Sequence, residues 1–244
     1  MIKIKKEKVD EAAIEFCKEV IKEPLLHFSE SDLHVLLIEK LYEKIPLLKK
    51  KKYDTNVNRG KNSKTFYKTR LVHREYGGGE KTRMDIVIFD EGDVKEISHP
   101  NLTKKNSKSY LKPPFAFELG TEKIGEKMTK AHVESDIKKL KNKAKCGYLI
   151  HIFRDNTRSP SNTRTREKTE QKLERKIKNI FSRDGVIIPK NVKIVFIILS
   201  PFRDQTKTWG KCKIFNKNDT NYEWVPVGIK NKLKIEKILK EQLQ

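Results

Sequence analysis

The sequence predicts an α/β protein: a central mixed β-sheet flanked by helices, with an N-terminal helix before it and a C-terminal β-hairpin extension after it. Three observations lead there. LVHREY and RMDIVIFD, on either side of GGGEK, alternate in polarity as strands do and not with the period of a helix. GYLIHIF (147–153) and VKIVFIILS (192–200) are nearly continuous apolar runs, the pattern of strands covered on both faces. Segments with helical spacing stand before and between these runs, and helices that alternate with buried strands cover the faces of a sheet.

Taken in order, residues 8–22 carry Val9, Ala13, Phe16 and Val20 at helical spacing and stop before Pro24, which predicts a short amphipathic helix. Ser29 can cap a second helix, in which Leu33, Leu37, Leu41 and Ile45 recur every four residues until Pro46 ends it. KKKKYDTNVNRGKNSKTFYKTR (49–70) is cationic and lacks aliphatic periodicity, so it reads as a loop, either a solvated connection or an arm on phosphates. LVHREY and RMDIVIFD then form a hairpin, whose Gly77 to Gly79 suit a tight turn better than an anion nest because no helix follows. PPFAFELG is a third strand, and Val133, Ile137, Leu140 and Ala144 trace the buried stripe of a helix. RDNTRSPSNTRTR (154–166) reads as a second basic loop, followed by a helix through Leu173, Ile177, Ile180 and Phe181 that ends before Gly185. WGKCKIF and YEWVPVGI around NKNDTN form a late hairpin, with Trp209 and Trp224 read as packing residues. The expected organisation is a helical extension over 1–27, an α/β core over 28–200, and a hairpin and helix over 201–244 packed on that core.

With 55 Lys+Arg against 33 Asp+Glu the chain carries a formal charge of +22, a field that attracts polyanions and releases their condensed counterions. Nucleic acid is the expected partner, although 44 of the 55 cations are lysines, which also serve simply to solvate a surface. Cys17, Cys146 and Cys212 are odd in number and scattered, without a CxxC pair, so they suggest neither a disulfide framework nor a thiolate zinc site. Neither a leader-like apolar segment nor a run of about 20 apolar residues occurs, so a soluble cytoplasmic protein without a membrane partner is expected. The histidines at 27, 34, 73, 99, 132 and 151 form no HxxxH or HExxH pair, and no Walker loop, GxSxG elbow or GxGxxG turn is present.

Two carboxylates stand out. Asp85 starts the second hairpin strand and Glu118 lies in the third strand. If neighbouring strands put both on one face, their oxygens suit a hard divalent cation, which can lower the pKa of a bound water and neutralise phosphoryl charge. Each acid alone is explained as well by a salt bridge or by exposure. The order of hairpin, acid, strand, acid, helix and buried strand is more specific.

That order resembles the PD-(D/E)XK nuclease superfamily over roughly residues 28–153. The resemblance implies a restriction-endonuclease-like core and a metal-dependent endonuclease of the restriction or repair type, with DNA favoured as substrate. It implies magnesium as cofactor, with manganese as substitute, held by Asp85 and Glu118. Glu30 would be the helix acid, preferred over Asp32, although an acid in a first helical turn is also favoured by the macrodipole alone. The family motif calls for a lysine two residues after the second acid, where this chain has Gly120. The family tolerates relocation of that lysine, and Lys123 is the nearest candidate if the strand stops at Gly120 and the chain turns back; Lys127 and Lys130 are further donors. Lys50, Lys51, Lys52, Arg59, Lys61 and Arg70 in one basic loop, and Arg158, Arg164 and Arg166 in the other, would grip the nucleic-acid backbone. His73, alternating with Glu75, can approach the site. Many enzymes of this type work as homodimers. The alternative is a non-catalytic nucleic-acid-binding protein on the same scaffold.

Overall fold

The computed structural model describes residues 3–23, 29–50, 53–58, 64–76, 83–96, 112–123, 130–154, 163–181, 186–200, 211–217, 222–228 and 230–243. Helix α1 (Lys6–Lys22) buries Val9, Ala13, Phe16 and Val20 as its spacing requires. Helix α2 (Glu30–Lys44) begins in a capping box in which the Ser29 hydroxyl accepts from the Asp32 N–H and the Asp32 carboxylate accepts from the Ser29 N–H. It buries Leu33, Leu37 and Leu41 and packs on α1. A single turn, α3 (Leu47–Lys50), follows Pro46.

The first basic stretch departs from expectation. Instead of a loop it forms β1 (Tyr53–Asn58) and β2 (Lys64–Thr69), an antiparallel two-stranded sheet of its own. Tyr53, Thr55 and Val57 do alternate with Asp54, Asn56 and Asn58, but so short and weakly apolar a pattern is hidden among lysines and asparagines. Pairing Val57 with Thr65 and Thr55 with Tyr67 puts β-branched and aromatic residues opposite one another, which supplies β-propensity.

The main sheet has seven strands in sequential order, β3 (Val72–Tyr76), β4 (Met84–Ile88), β5 (Phe115–Lys123), β6 (Cys146–Arg154), β7 (Val192–Ser200), β8 (Lys211–Lys217) and β9 (Tyr222–Gly228). The β5–β6–β7 centre is parallel and both flanks are antiparallel, so the sheet is mixed. Each parallel step is bridged by a helix: α5 (Lys130–Lys143) leads from β5 to β6, and α6 (Thr163–Ile180) from β6 to β7. A one-turn-and-a-half helix, α4 (Glu91–Glu96), follows β4, and α7 (Lys232–Leu243) ends the chain. The late hairpin β8–β9 joins the sheet edge to edge through β7, so it extends the core sheet.

Helices cover both faces. Leu140 of α5 lies where a Cβ on Gly147 would be, 2.7 Å away, which places α5 over the face that carries Gly147, Leu149 and His151. On the other face the Tyr148 hydroxyl donates to Asp10 of α1 at 2.6 Å, and its ring stacks on Phe117 at 4.6 Å. The apolar run at 147–153, and Val192 with 194–199 in the other, are buried on both sides, as their composition predicts. Phe181, Phe196, Phe215 and Trp224 form a continuous aromatic cluster, so Trp224 packs as expected; Trp209 lies outside the described residues. The three cysteines are free. Among the described residues no helix is long and apolar enough to cross a membrane.

Candidate metal centre

Strand pairing brings the two predicted acids together. In the antiparallel β4–β5 ladder Ile86 faces Phe117 and Val87 faces Ala116; one further step of that register sets Asp85 beside Glu118. Cross-strand partners share a face. The Leu119 N–H donates to Asp85 Oδ2 at 2.6 Å, which pins the Asp85 carboxylate against the strand that holds Glu118. The side chain of Asp85 keeps 19% exposure, whereas that of Glu118 keeps 4%.

Burial, and after it the Asp85 charge, push the Glu118 carboxyl from its ordinary 4.5 up to about 9, against the pull of Lys139. One oxygen, Oε2, accepts from Lys139 Nζ at 2.7 Å. The other, Oε1, is buried without a hydrogen-bond partner. A buried carboxylate oxygen with no donor is costly in an ion-free protein, and it is the atom a hard cation would satisfy.

A lysine not expected from the sequence stands beside Glu118. Strand β5 does not stop at Gly120 but runs in register with β6 as far as Lys123, opposite Arg154. The turn that would return Lys123 to the acids is therefore absent, and position 123, five residues from Glu118 on a continuous strand, has the register of the opposite face. The side chains of Lys123 and Lys130, and all of Lys127, lie outside the described residues. The ammonium beside Glu118 belongs to Lys139 on α5. It also meets Asp136 Oδ1 at 2.9 Å and the Arg83 carbonyl at 3.3 Å. Burial pulls Lys139 down, but Glu118 and Asp136 outweigh it and hold the ammonium above its ordinary value. Burial likewise pushes Asp136 up, and here His151 and Lys139 win and hold it below the usual range. Glu118 and Lys139 cannot both owe their shifts to one fully ionised pair. The consistent assignment makes Asp136 the standing counter-charge of Lys139, with Glu118 able to take a proton while no ion is present.

Gly120 has a steric cause. It lies opposite His151 in the β5–β6 register, and a Cβ at 120 would sit 2.6 Å from His151 Nε2. The imidazole fills the space a motif lysine would need. It is buried, packs edge-on against Phe196, and turns Nε2 toward Asp136 Oδ2 at 3.8 Å.

Helix α2 delivers the remaining acid. Glu30 Oε1 and Asp85 Oδ2 lie 3.9 and 3.8 Å from His34 Nε2, and the three ligand atoms fall within 4.8 Å of one another. Glu30 is half exposed at 53%, rather than turned fully to the buried face, while Asp32 is committed to the helix cap. Burial first, and Asp85 second, raise the Glu30 carboxyl. His34 is buried, and its Nε2 has no hydrogen-bond partner. Its Nδ1 lies 3.2 Å from Arg74 Nη2; a guanidinium only donates, so Nδ1 accepts and the neutral ring carries its proton on Nε2. In that tautomer His34 is a donor aimed between two carboxylates, and it becomes a ligand only if the Arg74 contact is given up.

His73 Nε2 bonds with the Arg70 carbonyl at 2.8 Å and its ring packs on Phe89. Of the predicted phosphate-gripping cations, Arg70 is exposed just before β3. Lys50 closes α3 and Arg164 and Arg166 belong to the first turn of α6 rather than to a loop, with side chains outside the described residues; Lys51, Lys52, Arg59, Lys61 and Arg158 lie outside them altogether. His34, Asp136, Lys139 and His151 were not picked out as site residues from the sequence. Two spacings pointed to them: Glu30 and His34 stand four apart on one helix, and Asp136 and Lys139 three apart on the helix that follows the second acid. The chain matches no protein-family model, no curated protein and no solved structure.

Proposed function

We propose that this chain is a metal-dependent endonuclease that hydrolyses phosphodiester bonds in nucleic acid, DNA before RNA, with magnesium or manganese as cofactor. The observation that carries the reading is the meeting of Asp85 and Glu118 on one sheet face, with Lys139 bonded to one Glu118 oxygen and the other oxygen left unpaired. Asp85 and Glu118 would hold the ion, and Glu30 would complete the acidic shell. When bound, the ion supplies Lewis-acid activation of water and neutralises charge on the phosphoryl oxygens.

The chain's own groups perform the rest. Lys139, in the place of the Lys123 expected from sequence, orients the attacking water and stabilises negative charge on the phosphate through an N–H that Glu118 engages in the ion-free protein. The near-absence of solvent around Glu118 strengthens each of these interactions relative to water. The net charge of +22 supplies sequence-independent affinity for the substrate backbone. Incubation with supercoiled plasmid and magnesium or manganese tests this. Cleavage is expected in the wild type and at least about 100-fold slower cleavage in Asp85→Ala, Glu118→Ala and Lys139→Met, the range seen when an electrostatic stabiliser is removed. Cleavage untouched by the first two changes sinks the site, and retardation of the DNA without any cleavage favours a binding module.

A further inference from the structure

Lys139 has three N–H donors and three acceptors: Glu118 Oε2 at 2.7 Å, Asp136 Oδ1 at 2.9 Å and the Arg83 carbonyl at 3.3 Å. The three are not equivalent. Glu118 stands on β5 and is the acid that would face an ion, so a bound cation competes with the ammonium for the same carboxylate. Asp136 sits on α5 with Lys139, three residues before it, and keeps its distance to the lysine whatever happens at the strand. Its other oxygen, Oδ2, faces His151 Nε2 at 3.8 Å. The imidazole is buried, has Phe196 edge-on at 5.6 Å, and occupies the space that a Cβ on Gly120 would need.

We propose that Asp136, backed by His151, is the positioning residue that holds Lys139 in place beside the acids, and that Gly120 is glycine to make room for the imidazole of this clamp. The clamp is a claim about where Lys139 is held; its catalytic meaning rests on the nuclease reading. A surface Asp–Lys pair one helical turn apart contributes little and orients nothing. This pair differs in being half-buried, with side-chain exposures of 20% and 17%, and in having a carboxylate that faces a second partner, His151 of strand β6, at 3.8 Å.

The test uses the full chain and two readouts. By NMR, the ζ-ammonium protons of Lys139, assigned by their loss in Lys139→Arg, are expected to be protected from solvent exchange in the wild type and in Glu118→Gln. Protection is expected to disappear in Asp136→Asn and to return in part in Asp136→Glu. In plasmid cleavage, Asp136→Asn is expected to lower kcat at least 10-fold with KM and magnesium dependence unchanged. Should Asp136→Asn not fold, Gly120→Ala leaves both charged partners intact, displaces the imidazole, and is expected to reproduce both losses. A protected Lys139 signal in Asp136→Asn, or wild-type kcat in that variant, overturns the clamp. If the wild type cleaves nothing, the nuclease reading fails by itself, and the ammonium signal still decides whether Asp136 holds the lysine.

Discussion

Replacing Glu118 by glutamine removes a titrating group while keeping its shape, and the expected result runs against intuition: the ion-free protein becomes more stable. The Glu118 carboxyl is held at about 9 in the fold against an ordinary 4.5, chiefly by burial and by Asp85. Between those values the folded chain binds a proton that the unfolded chain has released, so stability falls as pH rises through that window. Each pH unit costs about 1.4 kcal/mol, which reaches about 3 kcal/mol at pH 7 as an upper, order-of-magnitude figure. A glutamine has no such slope. In a chain of 244 residues the difference corresponds to a melting temperature about 6–12 °C higher for Glu118→Gln at pH 7, shrinking toward zero near pH 4.5. Thermal melts in EDTA from pH 5 to 8.5 read this directly. Magnesium should then raise the melting temperature of the wild type and leave that of Glu118→Gln unmoved. A variant that melts below the wild type at pH 8 would mean that Glu118 is ionised and that its bond to Lys139 outweighs its burial, and the reasoning would be wrong.

Two further changes probe the frame around the site. Lysine at position 120 supplies an acid-x-Lys spacing, yet its Cβ meets the His151 ring at 2.6 Å, so Gly120→Lys is expected to lose about 1–3 kcal/mol and to leave Lys139→Met as inactive as before. Wild-type cleavage by that double variant would show that the space is open. Tyr148→Phe removes the donor to the buried Asp10 carboxylate and should cost about 1.5–3 kcal/mol by urea denaturation; a midpoint equal to that of the wild type would show that Lys6 alone suffices.

Much of the fold was legible because burial dictates composition. The runs at 147–153 and 192–200 are nearly continuous in apolar residues since helices cover both faces of the sheet centre, and α2 announces itself through leucines every four residues and a serine cap. The hairpin β1–β2 was not legible because its period-2 pattern, Tyr53, Thr55 and Val57 against Asp54, Asn56 and Asn58, is short and carries little aliphatic character within a cationic stretch.

At the site the division is sharper. The sequence by itself singled out the two acids, each in or beside a strand, and the antiparallel β4–β5 register of the folded sheet then sets Asp85 beside Glu118. Only the tertiary structure decided which cation joins them. Lys139, Asp136 and His151 are brought to Glu118 by the way α5 lies across β5 and β6, a packing relation that the i,i+3 spacing of Asp136 and Lys139 alone does not encode. The same packing explains Gly120, whose missing side chain is a matter of the imidazole on the neighbouring strand.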